Sequence, residues 1–229
     1  MPNRFASISS SSDNSRPISG GGGGGAADYA LSNTEIKNRL AEIPVYKLSN
    51  DSQDNIKGIS EFGDRKIGFY FLNKPDALNF KERIECSPDA RIFDARLTEV
   101  IDFEGDPAPI RLIPELSEVK NAIQEKKKHI AGFSDGVFAG VPVFQSDSLI
   151  VKGEGEQKYR PAFLRKTDLE KALANAKAPK QRGTIQVAAL EDIIQEMKDC
   201  STFKWNDVVF VPPGNIMGMD IFFEEGQLN

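Results

Sequence analysis

The sequence predicts an α/β fold made of two pseudo-symmetric repeats of mixed β-strands and helices. Two observations support this prediction: strand and helix patterns alternate along the chain, and similar segments recur in the same order. The chain has 229 residues, of which 39% are hydrophobic, so it can bury the core that such a fold needs.

Four pairs of similar segments define the repeat. They occur in the same order and at nearly constant separations, which carries more weight than any single short match. The pairs are Ile43–Tyr46 with Val141–Phe144, Phe71–Asp76 with Phe163–Asp168, Ile92–Ile101 with Ile185–Ile194, and Leu112–Glu115 with Phe210–Pro213. We therefore expect a leader at residues 1–30, a first α/β repeat at residues 31–131, and a second at residues 132–229 with an apolar C-terminal segment.

The first repeat is predicted to contain about five strands, separated by helices. Pro75 suits the first position of a helix, because its φ is already helical. The strands are expected at Val45-Tyr46, Ile56–Ile59, Ile67–Leu72, Arg91–Ala95 and Ile110–Ile113, and the helices at Pro75–Ile84, Thr98–Asp102 and from Ser117 to His129.

The second repeat follows the same plan. Thr167 with Glu170 three residues later has the pattern of a capping box at a helix start. The strands are expected at Val143-Phe144, Leu149–Val151, Ala162–Leu164, Thr184–Ala188 and Val208–Val211, and the helices at Thr167–Ala176 and Leu190–Lys198. Pro212-Pro213-Gly214 then stops regular structure before the closing segment Ile216–Phe223.

The leader combines a Ser-rich stretch with the glycine run Gly20–Gly25. It lacks the apolar surface that would offset the entropy of ordering, so it is predicted to be disordered. Arg4 and Arg16 stand against one acid, Asp13, and a Ser-rich, acid-poor, basic composition is typical of an organelle transit peptide. A plain disordered tail is the alternative interpretation.

Charge argues against binding of nucleic acid, and hydropathy argues against a membrane-spanning segment. The net charge is −5 over mixed side chains, without the basic stripe that binds nucleic acid. No run approaches the roughly 18 to 20 apolar residues of a membrane span, so any membrane association is expected to be peripheral or through a partner.

The sequence shows no catalytic or metal-binding constellation, and no cofactor is expected. Cys86 and Cys200 are predicted to be unpaired thiols, with a disulfide between them as the alternative, and with His129 they give at most three scattered zinc ligands. His129 is predicted to end a helix in solvent, and Ser146 with Ser148 to form side-chain bonds to a turn. No Gly-x-Ser-x-Gly elbow occurs, so we expect no enzyme.

A further set of segments is distinctive by its residues: Gly140–Ser146, Arg111–Pro114 followed by Val119–Ala122, Tyr159–Pro161 with Arg165–Glu170, Ile185–Val187 with Leu190–Ile193, and Trp205–Gly214. With a looser match over the first repeat, they cover roughly residues 40–215 and resemble the Tic-twenty-two family. Members of this family are soluble components of the translocon at the inner envelope of chloroplasts.

The resemblance implies one domain of two α/β halves, and a non-enzymatic import factor between the chloroplast envelope membranes, peripheral to the inner one. It would hold preproteins and their transit peptides as a chaperone does, and it would contact translocon components of both membranes. Two alternatives stay open. One is an adaptor that bridges the translocons without holding clients. The other is a small-molecule enzyme, which would need one deep pocket with convergent polar groups.

Client binding would use exposed aromatic and methionine side chains, which adapt to many partners. The candidates are Phe69, Phe71, Phe144 and Phe163 in strands, and Met217, Phe222 and Phe223 in the closing segment. Residues two apart in a strand share a face, so Phe69 and Phe71 should point one way and Tyr70 the other. The alternative interpretation is that the strand aromatics fill the core.

Overall fold

A computed structural model describes residues 30–50, 67–83, 90–101, 110–129, 137–153, 157–176, 183–199 and 205–216, and the backbone of residues 220–223. This part of the chain contains five α-helices. They are α1 (Asn33–Leu40), α2 (Lys74–Arg83), α3 (Leu116–His129), α4 (Lys166–Asn175) and α5 (Leu190–Lys198), and short 3-10 helices lie at Leu97–Glu99 and Trp205–Asp207.

The described strands form two sheets. They are β1 (Pro44–Ser49), β2 (Gly68–Phe71), β3 (Arg91–Arg96), β4 (Ile110–Ile113), β5 (Pro142–Ser146), β6 (Leu149–Lys152), β7 (Lys158–Phe163), β8 (Ile185–Ala189), β9 (Val208–Val211) and β10 (Asp220–Phe223). The first sheet has the order β3-β1-β2-β4, and the second has the order β10-β6-β7-β5-β8 with β9 beside β7. The predicted α/β class is confirmed.

Strand pairing follows the same pattern in both sheets. β1 lies antiparallel to β2 and β3, and β2 lies parallel to β4. β5 likewise lies antiparallel to β7 and β8, and β7 lies parallel to β9. Tyr46 is opposite Phe71 in the first sheet, as Phe144 is opposite Phe163 in the second. This correspondence supports the predicted repeat, which stays a prediction.

The two sheets share a central apolar core that takes residues from both halves of the chain, among them Val45 and Val143. A first outer core lies between the first sheet and α2, and a second outer core lies between the second sheet and the helices α3 and α4. Phe69 and Phe71 face the first outer core, whereas Tyr70 faces the central one. The predicted alternation along β2 is therefore confirmed.

Helix α1 was not predicted from the sequence. Ser32 caps it: its Oγ accepts the Glu35 N–H, while the Glu35 carboxylate accepts the Ser32 N–H at 2.8 Å. Ile36 and Leu40 are buried in the central core. The Arg39 guanidinium donates to the Val208 carbonyl at 2.7 Å, so α1 covers part of the edge of β9.

The predicted starts of α2, α3 and α4 are each one residue too late. Thr167 is not a cap, because α4 begins at Lys166 after Arg165, and Arg165 makes no capping hydrogen bond through its side chain. The Lys166 N–H instead donates to the Glu118 carboxylate of α3 at 2.9 Å, so a distant residue supplies the acceptor. Pro75 is the second residue of α2, where a missing N–H is equally harmless.

Several predictions lie outside the described residues. They concern the leader at residues 1–29, the strand at Ile56–Ile59, the two thiols of Cys86 and Cys200, and Met217.

Two glycines with positive φ provide a test of the turn before β5. Gly140 has φ +86°, and a Cβ there would meet the Glu191 carboxylate that accepts the Val141 N–H at 2.9 Å. Gly214 has φ +80° with open space around the Cβ position. Gly214→Ala should cost about 1 kcal/mol of unfolding free energy for the left-handed backbone. Gly140→Ala should cost about 1 kcal/mol more, through loss of the Glu191 hydrogen bond.

Urea unfolding of both variants measures this difference. Equal losses for the two alanines would show that Glu191 contributes nothing at this turn.

Candidate functional site

The structure buries the four strand phenylalanines proposed as client contacts. Phe69 and Phe71 are 3% and 1% exposed beneath α2, and Phe144 and Phe163 are each 0% exposed in the second outer core. These side chains therefore pack the cores and present no surface to a client in this conformation. Contact through them would require the fold to open.

Two of the remaining candidates lie on a strand at the end of a sheet. Phe222 and Phe223 belong to β10, which pairs antiparallel with β6. The register places Phe222 opposite Ile150 and Phe223 opposite Leu149. We therefore take β10, β6 and the β6–β7 hairpin as the candidate site, and call it the terminal-strand site.

The β6–β7 hairpin beside β10 is held by several contacts. Leu149, Ile150 and Val151 of β6 are all buried, and Val151 pairs with Tyr159 of β7. The Gly153 N–H donates to the Gln157 carbonyl at 2.8 Å, which closes the hairpin. β6 is therefore fixed in place by contacts other than those with β10.

The turn that leads into β6 has the side-chain bonds predicted from the sequence. The Ser148 N–H donates to Ser146 Oγ at 3.4 Å, and Ser148 Oγ accepts the Gly183 N–H at 3.1 Å. The prediction of turn bonds is confirmed.

A buried aspartate fixes the segment that leads from β9 toward β10. Asp168 of α4 is 3% exposed, and its Oδ2 accepts the Gly214 N–H at 2.7 Å. Asp76 of α2, its match in the predicted repeat, accepts the Leu116 N–H at 3.4 Å after β4. In both places an aspartate of a helix holds the chain beyond a parallel strand.

A group of buried and half-buried charges joins α3 to α4, and it was not predicted from the sequence. Glu118 and Glu125 of α3 are 4% and 2% exposed. Glu125 contacts Lys166 Nζ at 2.9 Å and Lys128 Nζ at 2.7 Å, and Glu115 contacts Arg165 Nε at 2.8 Å. Glu118 and Glu125 flank the inward Ala122 on one helix face, so the sequence contained a signal at helical spacing.

These contacts shift two pKa values in opposite directions. Burial raises the pKa of the Glu125 carboxyl, but hydrogen bonds from Lys128 and Lys166 outweigh it, and the net pKa lies below the ordinary 4.5. Burial lowers the pKa of Lys166, but Glu125 and Glu170 outweigh it, and the net pKa lies above the ordinary 10.5. Both groups are therefore held in their charged forms.

One carboxyl has a raised pKa, unlike that of Glu125. Burial, together with the charges of Asp192 and Asp199, raises the pKa of Glu196 on α5. Asp192 lies one turn before Glu196 on α5 and Asp199 directly follows the helix, so like charges add to the effect of burial.

The described residues offer no metal centre, since no group of three or more His, Cys, Asp or Glu side chains among them could hold an ion. His129 is exposed at the end of α3, as predicted. No helix in the described ranges has both the length and the apolar character to cross a membrane.

Comparison with known proteins identifies relatives over most of the chain. The sequence matches the model of the Tic22-like family over residues 1–221. It is 38% identical over 211 residues to "Protein TIC 22-like, chloroplastic" of Arabidopsis thaliana, covering 86% of this chain and 64% of that protein. It is 29% identical over 194 residues to "Protein TIC 22, chloroplastic" of Pisum sativum, covering 80% and 75%. The chain thus spans less than two thirds of the Arabidopsis relative.

Two solved structures share the fold. Tic22 of Anabaena, described as a protein of protein transport, superposes with a TM-score of 0.62 at 21% identity, covering 80% of this chain and 94% of that one. Tic22 from Plasmodium falciparum gives a TM-score of 0.54 at 19% identity, covering 77% and 91%. At such identities the likeness shows the fold alone.

The buried ion pair between α3 and α4 can be tested by removing one partner. Lys166→Met should lower the free energy of unfolding by about 3 kcal/mol, because it leaves the Glu125 carboxylate buried with one partner fewer. Adding Glu125→Leu should recover most of that loss, since an apolar pair needs no compensation. Lys128→Met is the matched control: this lysine is 59% exposed and contacts the same carboxylate, so the loss should stay below about 1 kcal/mol.

Urea unfolding gives all three values. A double variant as unstable as Lys166→Met alone would contradict the buried-charge explanation.

The same pair predicts a pH dependence. Because the pKa of Glu125 is lowered on folding, its contribution to stability is fully present above the ordinary 4.5 and is lost as the pH falls through the folded-state value. The free energy of unfolding of Glu125→Gln should therefore fall less steeply with acid below about pH 4.5 than that of the parent. Parallel acid limbs in urea titrations of the two proteins would contradict this assignment.

Proposed function

The chain belongs to the Tic22-like family, and from that premise we propose that it is a non-enzymatic factor of protein import into chloroplasts. The observation that carries the proposal is the 38% identity with the chloroplastic relative of Arabidopsis thaliana. Tic22 of Anabaena, a protein of protein transport with the same fold, points the same way. The described residues support a non-catalytic role, because the buried carboxylates Glu118, Glu125 and Asp168 each accept bonds that fix helices or turns.

We infer that the factor acts in the space between the envelope membranes, peripheral to the inner one, and holds preproteins while they pass. Its partners would then be preproteins, their transit peptides, and translocon components of both membranes. Holding many different clients requires weak contacts of low specificity, which edge strands and adaptable apolar side chains supply.

The terminal-strand site fits this role better than the four buried phenylalanines. β10 lies at the end of the described second sheet, and Phe222 and Phe223 are two of its four residues. A client there would need no opening of the apolar cores. The alternative function, an adaptor between translocons, would use the same strand for one folded partner at fixed stoichiometry.

Suppression of aggregation tests the proposed function. Increasing ratios of this protein are mixed with a heat-unfolded test protein, and light scattering is followed beside an inert protein of equal size. A client bound at this site takes the place of β10 beside β6, so Phe222→Ser with Phe223→Ser weakens the strand that opposes the client. The ratio for half suppression should therefore fall about tenfold, since two aromatic contacts of about 0.7 kcal/mol each amount to one factor of ten.

The matched control is Leu78→Ser with Leu116→Ser, which removes two exposed apolar side chains from α2 and α3. This variant should suppress aggregation as the parent does. No suppression by the parent beyond the inert protein would overturn client holding and favour the adaptor.

A further inference from the structure

We propose that the edge of β6 is the binding site for extended client segments, and that β10, the chain's own terminal strand, occupies this edge until a client displaces it. The inference rests on the proposed function and specifies its site and the form of the bound client. The bound client would pair with β6 in the same way as β10 does.

The pairing of β10 with β6 supplies the first reason. β6 pairs with β7 on one side and with β10 on the other. The register runs from Asp220 opposite Lys152 to Phe223 opposite Leu149. Departure of β10 would leave a row of unpaired N–H and C=O groups on β6, and such an edge accepts any extended backbone.

The stability of β6 without β10 supplies the second reason. Leu149 and Val151 pack into the second outer core, and Gly153 closes the hairpin with β7. Among the described side chains, the partners of Leu149 and Val151 in that core belong to elements other than β10. The edge is therefore preformed, and a client strand would find it in place once β10 has left.

The attachment of β10 supplies the third reason. β10 has only four residues, so few backbone hydrogen bonds must break for it to leave β6. Asp168 holds Gly214, so only residues 215–219 separate the anchored chain from β10. A displaced β10 would stay close to the edge and compete with the client at high effective concentration. That competition lowers the apparent affinity for clients and allows their release.

The chemistry of the occupant follows from the register. Positions opposite Leu149 and Ile150 are taken by two aromatic residues, Phe223 and Phe222. An extended segment with neighbouring apolar residues reproduces this pattern, whereas a helix satisfies its own backbone and cannot pair with the edge. The fitting partner is therefore an unfolded polypeptide in strand conformation.

A disulfide between β10 and β6 tests the proposal in the full chain. Lys152→Cys with Asp220→Cys joins the two strands at facing positions of the register. Lys152→Cys with Lys158→Cys is the matched control, because it joins β6 to β7 and leaves β10 free to move. Both are made with Cys86→Ser and Cys200→Ser. The probes are the unfolded test protein and a labelled peptide copying residues 219–226.

Oxidation of the β6–β10 pair should weaken peptide binding and aggregation suppression at least about tenfold, with recovery on reduction. Oxidation of the β6–β7 pair should change neither. Equal binding by the oxidised and reduced β6–β10 protein would overturn the β6 edge as the site while leaving the proposed function intact. Failure of both reduced proteins to bind either probe would overturn the proposed function and this inference together.

Discussion

Burial of one face of each sheet in the shared central core is the constraint on which the rest of the structure depends. Val45 and Val143 lie in that core at matching positions, so each sheet must find another cover for its opposite face. The first sheet uses α2 and the second uses α3 and α4. The placement of the helices thus follows from the apolar side chains on the outer faces of the sheets.

The two edge strands β3 and β8 show why α3 packs on the second sheet. Asp94 of β3 faces Tyr46, whereas Val187 of β8 faces Phe144 at the matching position. Asp94 has a side chain 79% exposed, and Val187 packs against the second outer core. An apolar strand face needs a cover and a charged one does not, so α3 lies over the apolar face of the second sheet. The packing of α3 on the sheet buries the carboxylates of Glu118 and Glu125. The start of α4 offsets the cost of burying these charges, because the Lys166 N–H donates to Glu118 and the Lys166 ammonium contacts Glu125.

Local patterns predicted most of the regular structure. β4, β9 and α5 have the predicted bounds, because β-branched runs and an apolar helix face mark them without help from distant residues. α1 was missed because it precedes the first repeated segment. The cap of α4 was assigned wrongly because its acceptor, Glu118, lies on another helix.

The candidate site was predictable only in part. Because side chains alternate along a strand, the sequence predicted that Phe69 and Phe71 share one face of β2. It could not predict which helix covers that face. Phe222 and Phe223 were found by composition, yet their pairing with β6 depends on contacts between strands far apart in sequence. A four-residue strand carries too little pattern to specify its partner.

Hydrogen exchange of the backbone amides, with and without an unfolded client, tests the displacement of β10 most directly. We expect a client to raise the exchange of the β10 amides at residues 221–223, while the β6 amides at residues 149–152 stay protected, because one strand replaces another. Unchanged protection of β10 in a client complex would contradict this displacement, since the edge of β6 would then be occupied by β10 throughout.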